Sequence, residues 1–213
     1  MTAGYAERRR MADFIGERLD HPRVVEAMAA TPREEFLPDD LRACAYEDAA
    51  LPIGEDQTIS QPFVVARMIA LADPCADDIA LEVGAGSGYA AAVLARLCAR
   101  VFAIERNARL AHTAQQTLSR LGVDNVSVVH GDGTRGLEDA GPFNVIIVSA
   151  GGQDIPGALR RQLAIGGRLV MPVSAGETQI LTRLKRNSDD DFARETYERV
   201  MFVPLVADRP PGA

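Results

Sequence analysis

The stretch LEVGAGSGYAAAV, residues 81–93, decides the fold. It opens with the strand-like Leu81-Glu82-Val83, places glycines at 84, 86 and 88, and continues as an alanine-rich helical run. Strand, glycine loop and helix in that order set the free N–H groups of a helix start beside a backbone that a ligand can approach closely. A dinucleotide site would want G-x-G-x-x-G, with its third glycine at position 89. Position 89 is Tyr, and the glycines fall at every second position, preceded by the acidic Glu82.

From residue 79 onward the texture is regular. IALEV (79–83), VFAIE (101–105), VSVVH (126–130), NVIIVS (144–149) and GRLVMP (167–172) are short apolar, β-branched runs. Helical stretches at 89–99 and 107–121 separate the first three, and Gly122 stops the second helix. Strands that read as continuous apolar runs and alternate with helices predict a parallel sheet covered on both faces. TQILTRL (178–184) and YERVMFVPLV (197–206) follow one another directly and predict an antiparallel pair at one edge. Residues 6–30 predict two short helices broken at Asp20 and His21, with Pro22 in a first helical turn. Residues 31–61 show no clear periodicity, and PFVVARMIALA (62–72) resumes a helical pattern. The expectation is one α/β domain over residues 1–213. Within it, 1–78 would supply N-terminal helices and a substrate loop, 79–206 a cofactor-binding core and the last strands, and 207–213 a flexible tail.

Composition narrows the function. A net charge of -7 and a pI near 5.0 argue against a general nucleic-acid binder. The absence of Trp and an aromatic content of 5% leave little for a base-stacking surface. Cys44, Cys75 and Cys98 are widely spaced and odd in number, so neither a metal site nor a disulfide framework is expected. The start MTAGYAERRRMADF has no apolar run after its basic residues, unlike a secretory signal, and no segment is apolar enough for a membrane helix. A cytoplasmic protein is expected, with a monomer as the default and no membrane or nucleic-acid partner.

The pattern E-x-G-x-G-x-G at Glu82, Gly84, Gly86 and Gly88 resembles the first motif of class I S-adenosylmethionine-dependent methyltransferases. The resemblance implies a doubly wound, Rossmann-like fold with a mainly parallel seven-stranded sheet, helices on both faces and N-terminal helical additions. It implies S-adenosyl-L-methionine as cofactor and S-adenosyl-L-homocysteine as product. Glu105 ends the second strand, 21 residues after Gly84, where a carboxylate accepts both ribose hydroxyls. Asp132 and Gly133, in HGDGTRG (130–136), are placed to meet the adenine.

The methyl acceptor is narrowed by what is missing. The strand VIIVS ends in Ala150-Gly151-Gly152, not in the Asn/Asp-Pro-Pro-aromatic motif of enzymes that methylate amide or adenine nitrogens. No Cys is placed as a carbon-methylating nucleophile. His130 and His112 are the nearest candidates for a general base, and His112 falls mid-helix as a surface residue. An acceptor that is already a nucleophile needs no base, and a carboxylate with its usual pKa of about 4 is one.

YEDAALPIGEDQTISQPFVVARM (46–68), taken with EVGAGSGYAAAVLA, GDGTRG, QLAIGGRLVMPV (162–173) and VMFVPL (200–205), resembles the protein-L-isoaspartate O-methyltransferases from about residue 22 to 206. The resemblance implies a repair enzyme that methylates the α-carboxylate of L-isoaspartyl residues in damaged proteins and peptides. The alternative is an O-methyltransferase for another peptide or small-molecule carboxylate, and a third possibility is a cofactor-binding protein without turnover. By the same resemblance Gln57, Thr58 and Ile59 face the cofactor, while Ser60, Gln61, Ser149 and Ala150 face the substrate. Ser60 also fits the N-cap of the helix that Pro62 begins. As the catalytic residue, its hydroxyl would donate to the substrate carboxylate at that helix start. Three departures from the family pattern stand out. Ser149-Ala150-Gly151-Gly152-Gln153 replaces T-A-A-A-P, Leu137 replaces a tryptophan, and Asn144 replaces an acidic residue.

Overall fold

The structure, a computed structural model, describes residues 3–208. Of the expected tail at 207–213, residues 209–213 lie outside the described residues. The chain begins with helices α1 (Ala3–Gly16) and α2 (Pro22–Ala30), and the His21 ring accepts the Val24 N–H at the start of α2. Two 3-10 turns, Arg33–Phe36 and Asp39–Cys44, lead to a hairpin of β1 (Leu51–Gly54) and β2 (Gln57–Ile59). Glu55 and Asp56 form its tip with φ of 52° and 55°, left-handed values uncommon for residues with a side chain. Helix α3 (Pro62–Ala72) follows.

The alternating part then unfolds as β3 (Ile79–Val83), α4 (Tyr89–Leu94), β4 (Arg100–Glu105), α5 (Ala108–Arg120), β5 (Val126–His130), β6 (Phe143–Val148), α6 (Gly157–Arg161), β7 (Leu163–Ala175), β8 (Thr178–Arg186) and β9 (Phe192–Val200). Seven strands form one sheet in the order β5-β4-β3-β6-β7-β8-β9. The first five run parallel, and β8 and β9 are antiparallel. The order reverses between β3 and β6, so a crevice opens beyond their carboxyl ends, where open α/β sheets hold ligands.

Alternate residues of the strands feed two apolar layers. Ala80, Ala103, Val145 and Ile147 pack beneath α1–α4 with Met28, Val65 and Ile69. Leu81, Val83, Ile146, Val148 and Leu169 pack on the other face with Leu159 of α6. Burial on both faces is why these strands read as unbroken apolar runs. The second face is thinly clad: between β5 and β7 it receives only 3-10 turns at Gly133–Arg135 and Glu138–Ala140 and the five-residue α6.

Three expectations need correction. Helix α4 ends at Leu94, and 95–98 continue as tight turns. The last strand is Phe192–Val200, not 197–206; residues 201–206 leave the sheet. The N-cap of α3 is Gln61, not Ser60, and its own side chain makes no capping bond. The cap comes from Asp48, whose Oδ1 accepts the Phe63 N–H at 2.9 Å. Among the described residues, no helix is long and apolar enough to cross a membrane.

Candidate active site

Two clefts meet at the carboxyl ends of β3 and β6. The first, of about 560 Å³, runs over the glycine loop. Gly84, Gly86 and Gly88 take φ of 83°, 54° and 87°, which bends the chain sharply. The N–H groups of Gly84 and Ala85 both bond to the Ile104 carbonyl at the end of β4. Glu105 is 8% exposed and is fixed by two main-chain donors, Gly86 N–H to Oε2 and Asn107 N–H to Oε1, each at 2.8 Å. Each carboxylate oxygen keeps lone-pair capacity toward the groove, which Glu105 lines. Gly133 lines it too, and a Cβ there would stand 2.4 Å from Val83 Cγ1, so only glycine fits.

The groove is closed above by the β1–β2 hairpin. Glu55 accepts Arg109 Nη1 at 2.8 Å and Asn107 Nδ2 at 3.1 Å, tying the hairpin tip to the start of α5. Asn107 also caps that helix, its Oδ1 accepting the N–H groups of Arg109 and Leu110. Gln57 and Thr58 descend from the tip into the groove.

The second cleft, about 890 Å³, is lined by Thr58, Ser60, Gln61, Val64 and Ser149 on one side and by 199–203 on the other. Thr58, Ser149 and Val203 border both spaces. Asp48 holds the entrance of α3: its Oδ2 accepts Gln61 Nε2 at 2.8 Å while Oδ1 takes the Phe63 N–H. With Phe63 already occupied and the cap supplied by Asp48, the Ser60 hydroxyl is not needed for the helix and faces the cleft.

Not every expected residue lines a cleft. Ile59 is 4% exposed, packs in the core and lines neither cleft. Gly88 serves packing, since a Cβ there would press on Ala114 of α5 at 3.2 Å. Asp132 supports its turn: Oδ1 accepts Thr134 N–H and Oγ, and Oδ2 accepts the Asp208 N–H. Although burial works to raise it, those bonds hold the Asp132 carboxyl below the usual range. Glu82 lies under the loop, 1% exposed. Its Oε1 accepts the Ser149 hydroxyl at 3.3 Å, and the Ala91 N–H near the start of α4 also acts on the carboxyl. Burial pushes the Glu82 carboxyl up to about 8. Ala150 lines the first cleft beside Ser149. His130 also lines it, its Nε2 within 3.1 Å of the Arg106 carbonyl, and His112 is exposed on α5.

Sequence reasoning missed Asp48, Glu55, Asn107 and Arg109. Asn107 had a legible signal, an Asn directly before a helical run. Asp48 and Glu55 sat inside the quoted family stretch without a role, because their partners are 13 or more residues away. Two of the departures have local explanations. Asn144 Oδ1 accepts the Ile79 N–H and pins the start of β3, and Leu137 packs on the second apolar layer.

This sheet order, with a glycine loop after its central strand and an acid at the end of the next, is the Rossmann-like fold of class I S-adenosylmethionine-dependent methyltransferases. A family model for protein-L-isoaspartate(D-aspartate) O-methyltransferase matches residues 9–210, and the chain belongs to that family. A protein-L-isoaspartate O-methyltransferase 1 of Rhodopseudomonas palustris (strain HaA2) is 50% identical over 97% of this chain and 86% of its own length. The protein-L-isoaspartate O-methyltransferase of Roseiflexus castenholzii is 51% identical over 94% of this chain and 92% of its own. Among solved structures, one protein-L-isoaspartate O-methyltransferase superposes with a TM-score of 0.87 at 27% identity, over 94% of this chain and 66% of that one. A Plasmodium falciparum protein solved in complex with S-adenosyl-L-homocysteine shares the fold, with a TM-score of 0.82, 23% identity, and 94% and 99% of the two chains covered.

Proposed function

We propose that the chain transfers a methyl group from S-adenosyl-L-methionine to the α-carboxylate of L-isoaspartyl residues in damaged proteins and peptides. The observation that carries this is the meeting of a nucleoside-sized groove and an open cleft at Thr58, Ser149 and Val203, with Ser60 facing the cleft. The residues present fit the cofactor. Glu105 offers two carboxylate oxygens with lone pairs left over by their main-chain donors, and the backbone of Gly84, Gly86 and Gly133 lines the groove beside it. When bound, S-adenosyl-L-methionine supplies an electrophilic sulfonium methyl.

The chain's own part is positioning. Gln61 is fixed by Asp48, so the Ser60 hydroxyl donates to one carboxylate oxygen and aims the other across the Thr58–Ser149 boundary. Transfer neutralises a cation and an anion, and a cleft walled by Val64, Phe202 and Val203 keeps water from solvating both. No base is required, in keeping with His130 lying in the cofactor groove and His112 on the outer surface. An open cleft of about 890 Å³ favours a peptide over a small acid. Replacing Ser60 with Ala should lower turnover on an isoaspartyl peptide by about 100-fold, the usual loss of one transition-state donor. Calorimetry should find cofactor affinity within about twofold of wild type, because Ser60 lines only the second cleft. Unchanged turnover would remove Ser60 from the mechanism.

A further inference from the structure

Residues 201–206 cross both clefts outside the sheet. Met201, Phe202 and Val203 line the peptide cleft, and Val203, Pro204, Leu205 and Val206 line the cofactor groove. Two stitches hold this strap. Gly151 clasps it through main chain, its N–H to the Val203 carbonyl at 2.8 Å and its carbonyl accepting the Leu205 N–H at 2.7 Å. Gln179 of β8 clasps it through a side chain that reads one peptide unit on each side: Phe202 N–H donates to Oε1 at 2.8 Å, and Nε2 donates to the Phe202 carbonyl at 3.1 Å.

The stitches touch each other. A Cβ built on Gly151 would lie 2.2 Å from Gln179 Nε2 and 2.5 Å from its Cδ. Gly151 is not among the glycines with a left-handed φ, so what position 151 needs is space and not conformational freedom. The glycine that departs from the family pattern therefore has a physical reason in this chain: it vacates the volume that the Gln179 amide fills. Gln179 lines the peptide cleft and not the cofactor groove.

We propose that Gln179, seated on the bare Cα of Gly151, is a positioning residue for methyl transfer that sets the Phe202–Val203 wall against which an extended peptide is aligned. The inference rests on the reading of the second cleft as the isoaspartyl site. Gln179 acts through the strap, so its loss is felt by substrates long enough to lie along 201–203. A minimal acceptor that occupies only the space between Ser60 and Ser149 is spared.

The test compares Gln179→Met, Gly151→Ala and the double variant on two acceptors, an isoaspartyl hexapeptide and a single isoaspartyl residue with blocked ends. Gln179→Met keeps the volume and deletes both hydrogen bonds; it should raise KM for the hexapeptide about tenfold, as expected from losing two such bonds. Its kcat/KM on the blocked residue and its affinity for S-adenosyl-L-homocysteine should stay within about twofold of wild type. Gly151→Ala should act in the same direction by displacing the amide. The double variant should be no worse than the poorer single one, since both break the same contact. Equal losses on the two acceptors, a proportional loss of cofactor affinity, or additive effects would overturn the proposal. So would unchanged kinetics in an active enzyme, which would leave the functional reading standing. A wild type inactive on both acceptors would instead sink the functional reading, and this inference with it.

Discussion

The two halves of the site are built by different means. The cofactor half sits on the ends of β3, β4 and β6, where parallel strands bring Gly84, Glu105 and Ser149 into one crevice through main-chain bonds of 2.8–3.0 Å. The carboxylate half is made of loops and one short hairpin, 45–61 and 201–206, held by side chains that reach main-chain groups far away in sequence. Arg33 is fully buried and donates to the carbonyls of Ala45 and Ala49, over the Tyr89 ring at 5.0 Å. Its burial lowers the guanidinium below its usual value. Asp48 then caps α3, and Gln179 clasps the strap. The sheet supplies a fixed platform for a constant ligand, while the stitched loops shape a cleft for a variable one.

If the halves are separable, damage to one should spare the other. The largest expected effect on the cofactor side comes from Glu105→Gln, which removes the charge from the carboxylate proposed to accept the ribose hydroxyls and faces an amide toward the Gly86 N–H. Affinity for S-adenosyl-L-homocysteine should fall about 100-fold, in line with two hydrogen bonds to a charged group. KM for the peptide at saturating cofactor should barely move. A loss shared equally between cofactor and peptide would break the division.

Glu82 sharpens the comparison in a different way. With its carboxyl raised to about 8 by burial, against about 4.3 in the unfolded chain, the protonated acid favours the fold most at low pH. That contribution drains away as pH rises from about 4 to about 8. Glu82→Gln keeps an acceptor for the Ser149 hydroxyl and has no proton to lose. The cofactor-free variant should therefore melt close to wild type near pH 4 and progressively above it up to pH 8, by a few degrees for each kcal/mol. A gap that closes with rising pH would contradict the buried acid.

The same division explains what the sequence made legible. Strands with both faces buried announce themselves as apolar runs, the glycine loop by its spacing, and Glu105 by its place at a strand end. The loops of the carboxylate half carry no period, because Asp48, Gln61 and Phe63 are joined through side chains and not through a repeating ladder. The misplaced last strand shows the competition most clearly. YERVMFVPLV has the composition of a strand, yet past Val200 the Gln179 side chain takes the Phe202 N–H and carbonyl that a ladder would use. Beyond it, Pro204 has no N–H to give. Met201 is left 95% exposed at the rim of the cleft. A similar glutamine supports the cofactor half, where Gln162 bridges Arg135 and Leu137 over Gly136; that bond pattern was equally invisible to periodicity.

The most direct test of the account is transfer of a labelled methyl group from S-adenosyl-L-methionine to a short isoaspartyl peptide, with the matching aspartyl peptide as control. The account predicts base-labile label on the isoaspartyl peptide alone. Label on neither peptide, from a protein that still binds the cofactor, would contradict it and point to a different carboxylate in the second cleft.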